Sequence, residues 1–102
     1  MKRPAHLDFI RSLPCIVCGD NTSTEAAHVR YTDRSVAKPN AGIGAKPSDV
    51  FVVPLCGQCH REQHMSMERH WWAMYSIDPV KKALALWAYS GNRELAEQVV
   101  RR

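Results

Sequence analysis

Two cysteine pairs constrain this chain more than any other feature of its sequence. Cys15 and Cys18 form one C-x-x-C motif, and Cys56 and Cys59 form a second. Two residues between the cysteines allow both thiolates of a pair to bind one tetrahedral Zn²⁺ ion, with Zn–S distances of about 2.3 Å. We therefore predict that all four cysteines ligate a single structural zinc ion.

A redox dithiol is the alternative interpretation of a C-x-x-C motif. A thioredoxin-like protein carries one such motif near a βαβ unit, and two matched pairs fit that pattern poorly. The start of the chain also indicates a reducing compartment, because no apolar signal-peptide core follows residues 1–6. The longest strongly apolar run, residues 50–55, is far shorter than the ~20 residues that span a bilayer. We expect a cytoplasmic protein with no membrane contact, in which the thiols stay free.

Chain length explains why a zinc site matters here. With 102 residues, the chain corresponds to one small domain whose apolar core alone is marginal. A structural zinc ion can add roughly 10–16 kcal/mol of folding free energy. The insert between the two pairs, residues 19–55, is much longer than the ~15–20 residues of a simple zinc ribbon. We treat residues 1–102 as one domain, with a zinc-bound core over about residues 13–72 and C-terminal helices over about residues 73–102.

The rest of the sequence predicts an α+β fold, a small zinc-stapled core with flanking N-terminal and C-terminal helices. Strand-like segments lie at residues 24–32 and 49–55, and a loop rich in Gly, Pro and Lys over residues 33–48 joins them. Amphipathic or capped segments predict five helices, over residues 5–13, 60–64, 68–76, 79–89 and 93–100. We assign the apolar stripe of the last two helices to packing.

Three of the five histidines form a pattern that indicates a second metal site. His60 directly follows Cys59 and His64 comes four residues later, so a helix would place both imidazoles on one face. His28 lies at the end of the first predicted strand, where a hairpin can bring it to face that helix. The sulfur ligands already complete the zinc tetrahedron, so an ion held by these histidines would be a second one.

The other histidines and the tryptophan pair receive structural interpretations. We expect His6 at the surface of the first helix and His70 in a packing or surface role. Trp71 and Trp72 can stack on nucleic-acid bases, but burial of at least one of them in the small core is the favoured interpretation.

The order of these motifs resembles that of the HNH nucleases. The chain carries C-x-x-C, then A-H-V at residues 27–29, then a Gly-rich loop, then C-x-x-C-H-x-x-x-H over residues 56–64. Residues 42–56, G-I-G-A-K-P-S-D-V-F-V-V-P-L-C, are similar to phage and prophage nucleases of the recombination-enhancement (Ref) type. The resemblance covers roughly residues 13–72. It implies a ββα-metal fold, in which a β-hairpin and a helix grip one divalent ion.

The resemblance implies a role for each matching residue. His28 matches the general base that takes a proton from the attacking water, and the ordinary pKa of a histidine, ~6.5, suits that task. His60 and His64 match the helix positions that hold the catalytic ion, Mg²⁺ or Mn²⁺, which Zn²⁺ can replace in a crystal. Asp49 lies near the position of the family's middle asparagine, which orients the base or the metal. Ala27 departs from the pattern, because many HNH proteins carry a metal-ligating His or Asp there.

Basic residues flank the predicted cleft in sequence. Arg30, Arg34, Lys38 and Lys46 lie just before or within the long loop, and the whole chain carries a net charge of +4. We predict that these four side chains contact DNA phosphates, which makes binding dependent on salt. A solvated loop without a ligand is the alternative for each of these residues taken alone.

Together these features predict a metal-dependent DNA endonuclease that hydrolyses phosphodiester bonds in phage or prophage recombination or DNA processing. Because of Ala27, the third protein ligand of the catalytic ion is left open between Asp49, His28 and water. Two alternatives are a catalytically silent zinc module that binds nucleic acid and a structural zinc domain that binds protein. Ref-type relatives act alongside a recombinase filament, which the resemblance adds as a candidate partner. The sequence leaves open whether the DNA is single- or double-stranded, and which oligomeric state is used.

Overall fold

The protein is described by a computed structural model over residues 4–31 and 48–102, which form two strands and five helices. In chain order the elements are α1 (Pro4–Arg11), β1 (Thr24–His28), β2 (Val52–Cys56), α2 (Gly57–Met65), α3 (Glu68–Met74), α4 (Pro79–Ala88) and α5 (Arg93–Arg101). The α+β class is confirmed, and each predicted helix is present with ends that differ by a few residues. Of the predicted loop over residues 33–48, all but Ser48 lies outside the described residues.

β1 and β2 pair as an antiparallel hairpin, which the two strand-like segments predicted. The register sets Thr24 opposite Cys56 and His28 opposite Val52. Every residue of β2 is buried, which explains its unbroken apolar run, because a strand covered on both faces needs no polar alternation. The hairpin therefore brings the end of β1, with His28, to the start of β2, and it places Cys56 where α2 begins.

Local capping explains where the two C-terminal helices begin. Asp78 caps α4 by accepting the main-chain N–H of Lys81 at 3.2 Å, and Pro79 occupies the first turn. Asn92 caps α5 in the same way, through the main-chain N–H of Leu95 at 3.2 Å. In the part of the chain that the structure describes, no helix has the length and apolar character needed to cross a membrane.

The hydrophobic core joins the hairpin to the helices that surround it. Its largest fully buried side chains include Trp72, Ile10, Leu13, Leu55 and Leu86. Trp71 and Trp72 are both buried, with 3% and 1% of their surface exposed. Burial, the favoured interpretation of this pair, is thus confirmed, and neither ring is available for stacking on bases.

The surface position predicted for His6 is wrong. Only 4% of this residue is exposed, its Nδ1 lies 2.8 Å from Ser90 Oγ, and its ring packs edge-on against Trp87 with centroids 4.8 Å apart. His6 precedes Ile10 by one helical turn, so both side chains lie on the same face of α1. The contacts of His6 tie the start of α1 to the C-terminal end of α4.

Candidate functional site

The four cysteines come together in one cluster. Their Sγ atoms all lie within 4.8 Å of one another, and those of Cys18 and Cys56 are 3.7 Å apart. Around a tetrahedral zinc ion, thiolates bound at about 2.3 Å lie about 3.8 Å from one another. All four thiols are free rather than joined in disulfides. The donor set and its spacing thus fit a closed structural zinc site, as the sequence predicts.

Each cysteine pair is shaped by its own main chain. In the first pair, the N–H of Cys18 points at Cys15 Sγ over 3.5 Å, and Gly19 follows with a φ of 81°, in the left-handed region that favours glycine. In the second pair, Cys56 is the N-cap of α2, and its Sγ accepts the N–H of Cys59 over 3.4 Å. Because Cys56 ends β2 and begins α2, the cluster joins the hairpin to the helix.

Burial and main-chain N–H groups set the proton affinity of the cluster. Burial raises the pKa of the Cys59 thiol well above its ordinary value. Burial also acts to raise the pKa of Cys15, but the main-chain N–H groups of Cys18 and Cys56 directed at its sulfur outweigh burial and lower it. A metal ion that binds here must displace thiol protons, so its affinity falls as the pH is lowered.

A second constellation lies at the end of β1. His28 Nε2 is 2.9 Å from Asp49 Oδ1, and the two side chains are 26% and 9% exposed. An ionised carboxylate can only accept, so Nε2 carries the proton of this hydrogen bond and Nδ1 keeps its lone pair. Asp49 lies in the turn before β2, and the hairpin register returns it to the end of β1. The structure thus joins the predicted base to its predicted orienting group, while their catalytic roles stay predictions.

A third constellation lies on α2. His60 and His64 are one turn apart, and their Nε2 atoms are 3.2 Å from each other. His60 Nδ1 is 2.7 Å from Glu25 Oε1, which places the proton on Nδ1 and leaves the Nε2 lone pair directed at His64. Two nitrogen atoms at this spacing can share a proton in a hydrogen bond or chelate one metal ion. The metal that the sequence predicts at this pair stays a prediction.

Glu25 is a site residue that the sequence prediction missed, although strand alternation offered a signal for it. Residues two apart on a strand face the same side of the sheet. Glu25 therefore shares the face of Ala27, the position at which many HNH nucleases carry a metal ligand. By the same rule the side chain of His28 lies on the opposite face of the strand, where it is hydrogen-bonded to Asp49. The strand thus lacks a donor at Ala27 but has a carboxylate two residues earlier on the same face.

The two histidine constellations are separate but connected. Among the described residues, the four cysteines are the only set of three or more potential ligands whose donor atoms all lie within 4.8 Å of one another. His28 therefore does not join His60 and His64 in a set of that kind. The connection runs through Gln63 of α2, whose Nε2 donates to the main-chain oxygen of His28 at 3.1 Å.

Comparison with known proteins assigns the chain to a family. Residues 1–86 match the family described as "Protein of unknown function (DUF968)". The chain belongs to the DUF968 family. The matched span contains the four cysteines and both histidine constellations, whereas α5 lies beyond it. No curated protein and no solved structure matches the chain.

One of the four predicted phosphate-binding residues of the DUF968 protein is described. Arg30 is exposed two residues after His28, and its main-chain N–H donates to the Glu68 carboxylate at 3.2 Å. A further cation lies close by, because the guanidinium of Arg69 stacks on the Tyr31 ring, 4.7 Å from its centroid. The other three predicted contacts lie outside the described residues: Arg34, Lys38 and Lys46.

Electrostatics favour the neutral form of His64 in this DUF968 protein. Burial, and then the charge of Arg30 and the neighbouring His60 imidazole, lower the pKa of the His64 imidazole, and the Glu68 carboxylate opposes them only in part. A neutral imidazole keeps the lone pair that metal binding requires. The surroundings of His64 thus suit a metal ligand at neutral pH.

Proposed function

We propose that this DUF968 protein is a metal-dependent DNA endonuclease of the HNH type, which hydrolyses phosphodiester bonds. The observation that carries the proposal is the hydrogen-bonded pair of His28 and Asp49, whose strand is linked through Gln63 to the helix on which His60 and His64 present converging nitrogen atoms. The order of hairpin and helix supports the proposal, since ββα-metal nucleases use that order. The cysteine cluster supports it as a clamp that holds the hairpin against the helix.

His28 acts as the general base in the proposed reaction. Its Nδ1 lone pair takes a proton from the water whose oxygen attacks phosphorus, and the bond from phosphorus to the leaving 3′-oxygen breaks. Asp49 accepts the hydrogen bond from Nε2 throughout and stabilises the imidazolium ion that forms. The buried carboxylate thereby holds the ring in the tautomer that the reaction needs.

His60 and His64 would hold the divalent ion, Mg²⁺ or Mn²⁺, through their Nε2 atoms. When bound, the ion supplies charge stabilisation to a phosphate oxygen and to the leaving oxygen. Glu25 keeps His60 in the metal-binding tautomer through the hydrogen bond to Nδ1. Ala27 offers no donor atom, so a third ligand would have to come from Asp49, His28 or water.

Nicking of supercoiled plasmid DNA with Mg²⁺ or Mn²⁺ tests the proposal. We expect the wild-type protein to nick the plasmid and His28→Ala to lower the rate by at least about 10²-fold, since a positioned general base contributes ~10²–10⁴-fold. His70→Ala is the matched control, because His70 is an exposed histidine of α3 and its removal should leave the rate unchanged. Nicking by His28→Ala at the wild-type rate would remove His28 from the mechanism.

A catalytically silent zinc module that binds nucleic acid is the second candidate. Two observations favour it: Ala27 supplies no ligand, and no third ligand completes a set with His60 and His64 among the side chains that the structure describes. A gel-shift assay run beside the nicking assay separates the candidates. A protein that shifts DNA but cuts no form of it, with either ion, is the silent module, whereas cleavage by the wild type excludes it.

The resemblance to Ref-type nucleases also suggests a partner, a recombinase filament in phage or prophage recombination. We propose that the filament presents the DNA that is cut. Nicking of a plasmid that carries a recombinase-bound single strand is then faster than nicking of the bare plasmid. Equal rates on both substrates would argue against this partner while leaving the nuclease chemistry intact.

A further inference from the structure

The carboxylate of Glu68, the first residue of α3, accepts hydrogen bonds from several donors. Its Oε2 accepts Gln63 Nε2 at 3.0 Å and the indole N–H of Trp72 at 3.1 Å. Its carboxylate also accepts the main-chain N–H of Arg30, at 3.2 Å to Oε1 and 3.4 Å to Oε2. Donors from α2, from α3 and from the end of β1 thus converge on one carboxylate, and hydrogen bonds to an ionised group are the stronger kind.

Gln63 extends this network to the predicted base. Its amide nitrogen donates both to Glu68 and to the main-chain oxygen of His28, and only 3% of Gln63 is exposed. The main chain that carries His28 is thus held at two atoms, its own carbonyl oxygen through Gln63 and the N–H of Arg30 directly. Both contacts lie at the end of β1, beside the last main-chain hydrogen bond of the hairpin, which the N–H of Val29 donates to the oxygen of Phe51 at 2.9 Å.

We propose that Glu68 is a positioning residue that holds His28 in its hydrogen bond to Asp49. It acts through Gln63 and through the main chain of Arg30, and it touches neither substrate nor metal. The inference rests on the proposed function, because it gives Glu68 a part in the same reaction. The imidazole of His28 rotates about a main chain that these two contacts hold in place, which limits the displacement of the ring from Asp49. A base displaced by about 1 Å can lose up to about 10²-fold in rate.

Hydrogen-bond chemistry explains why this position needs a carboxylate. The groups of Gln63, Trp72 and Arg30 that reach Glu68 are all N–H donors, and an acceptor without hydrogens can serve all of them. Glu68→Gln keeps the size of the side chain but removes its negative charge, and it turns an NH₂ group either toward the Arg30 N–H or toward the donors of Gln63 and Trp72, which weakens the network. Glu94→Gln is the matched control, since Glu94 also lies in the first turn of its helix and is exposed.

The first measurement follows the Nε2 proton of His28 by NMR in protein labelled with ¹⁵N-histidine. We expect Glu68→Gln to raise the rate at which this proton exchanges with solvent by about tenfold, as for the loss of other supporting contacts around a site. Glu94→Gln removes the same charge from the first turn of a helix but lies outside this network, so it should leave the exchange rate unchanged. A purely structural role of Glu68 predicts a lower melting temperature with no change in the exchange of this proton.

The second measurement separates kcat from KM in the nicking assay. Glu68→Gln is expected to lower kcat by about tenfold with KM for DNA unchanged, since the geometry of the base is altered while the phosphate contacts are kept. Wild-type kcat in Glu68→Gln overturns the inference, as does wild-type exchange of the His28 proton. If the wild-type protein cuts no DNA, the nuclease proposal fails, and the exchange measurement still decides whether Glu68 holds His28.

Two further variants keep the inference testable if Glu68→Gln does not fold. Gln63→Met removes the link to the His28 carbonyl at similar volume, and it should raise the exchange of the His28 proton about as much as Glu68→Gln. Trp72→Phe removes one donor from Glu68 and keeps an aromatic ring in the core, and it should give a smaller increase. A folded Gln63→Met protein with wild-type exchange would overturn the inference.

Discussion

The cysteine cluster and the His60–His64 pair are two sets of potential metal ligands that share helix α2, and they differ in how many donor atoms they offer. The cluster offers four sulfur donors that fill a tetrahedron and leave no position for a substrate. The histidine pair offers two nitrogen donors, of which that of His64 belongs to an exposed residue. Closure suits a structural ion, whereas an open pair leaves coordination positions for water or a phosphate oxygen.

The two regions also differ in what holds their donors in place. The cysteine sulfurs accept N–H groups from within their own short motifs. His60 of the pair instead depends on a carboxylate far away in sequence, that of Glu25, and the predicted base His28 depends on Asp49 in the same way. Substitutions in the cysteine cluster should therefore unfold the chain. Substitutions at the histidines should remove the proposed chemistry and leave the fold intact.

Removal of the zinc ligands is expected to have the largest effect. A structural zinc ion contributes roughly 10–16 kcal/mol of folding free energy, which is comparable with the whole stability of a typical domain, ~5–15 kcal/mol. Cys59→Ser should therefore lose both zinc and helical circular dichroism, while His60→Ala keeps one zinc ion per chain and its helices. A folded Cys59→Ser protein without zinc would break the comparison, because the cluster would then not be what maintains the fold.

Substitution in the His60–His64 pair is expected to weaken the binding of Mn²⁺ and to leave the zinc ion in place. His64→Ala deletes one of two nitrogen donors, so the affinity for Mn²⁺ should fall by more than about tenfold, with the zinc content unchanged. Calorimetric titration of the zinc-loaded protein with Mn²⁺ measures this, and His70→Ala serves as the control. Equal Mn²⁺ affinity in His64→Ala and the wild type would place the ion elsewhere.

Glu25→Gln should lower the Mn²⁺ affinity measured in the same titration by less than His64→Ala does. The amide oxygen can still accept the Nδ1–H of His60, so the ring keeps its orientation but loses a neighbouring negative charge. We expect Mn²⁺ affinity to fall by less than about tenfold. Glu62→Gln removes a charge from α2 itself and is expected to leave the affinity unchanged, so a loss of equal size in both variants would contradict a specific role for Glu25.

The smallest effect is expected at His6, which belongs to neither region. Burial lowers the pKa of His6 below its ordinary 6.5, and the charge of Asp49 opposes this only in part. The unfolded chain then binds the His6 proton more readily than the folded chain, so stability is present above pH 6.5 and is lost as the pH falls toward the lower, folded-state pKa. Urea unfolding above and below this value should show a weaker pH dependence in His6→Gln than in the wild type. An identical dependence in both proteins would contradict the inferred burial.

The contact between His6 and Ser90 gives a second, pH-independent measure of that position. Ser90→Ala removes the hydroxyl at His6 Nδ1 and should lower the free energy of unfolding by ~1 kcal/mol, the usual contribution of one hydrogen bond. Neither the zinc content nor the Mn²⁺ affinity should change. A change in either would mean that the packing of α1 on α4 reaches the metal regions.

Much of the fold could be predicted because its signals are local. The cap at Asp78, the proline after it and the cap at Asn92 each specify a helix start within a few residues. The strand ends were less accurate, because pairing decides them: β1 was expected over residues 24–32, but it ends at His28, which pairs with the first residue of β2. No property of the residues beyond His28 reveals where the partner strand begins.

In the candidate site, only residues whose spacing along the sequence indicates metal binding could be predicted. The cysteine pairs and the His60–His64 pair are of that kind. Glu25 and Glu68 were missed because the partner of a carboxylate depends on which segments the hairpin brings together. His6 was misplaced because its burial depends on contacts with Ser90 and Trp87, which are distant in sequence.

Cys56 is at once the last residue of a strand, the cap of a helix and a member of the cysteine cluster. One substitution at Cys56 would therefore disturb the end of β2, the start of α2 and the sulfur cluster together.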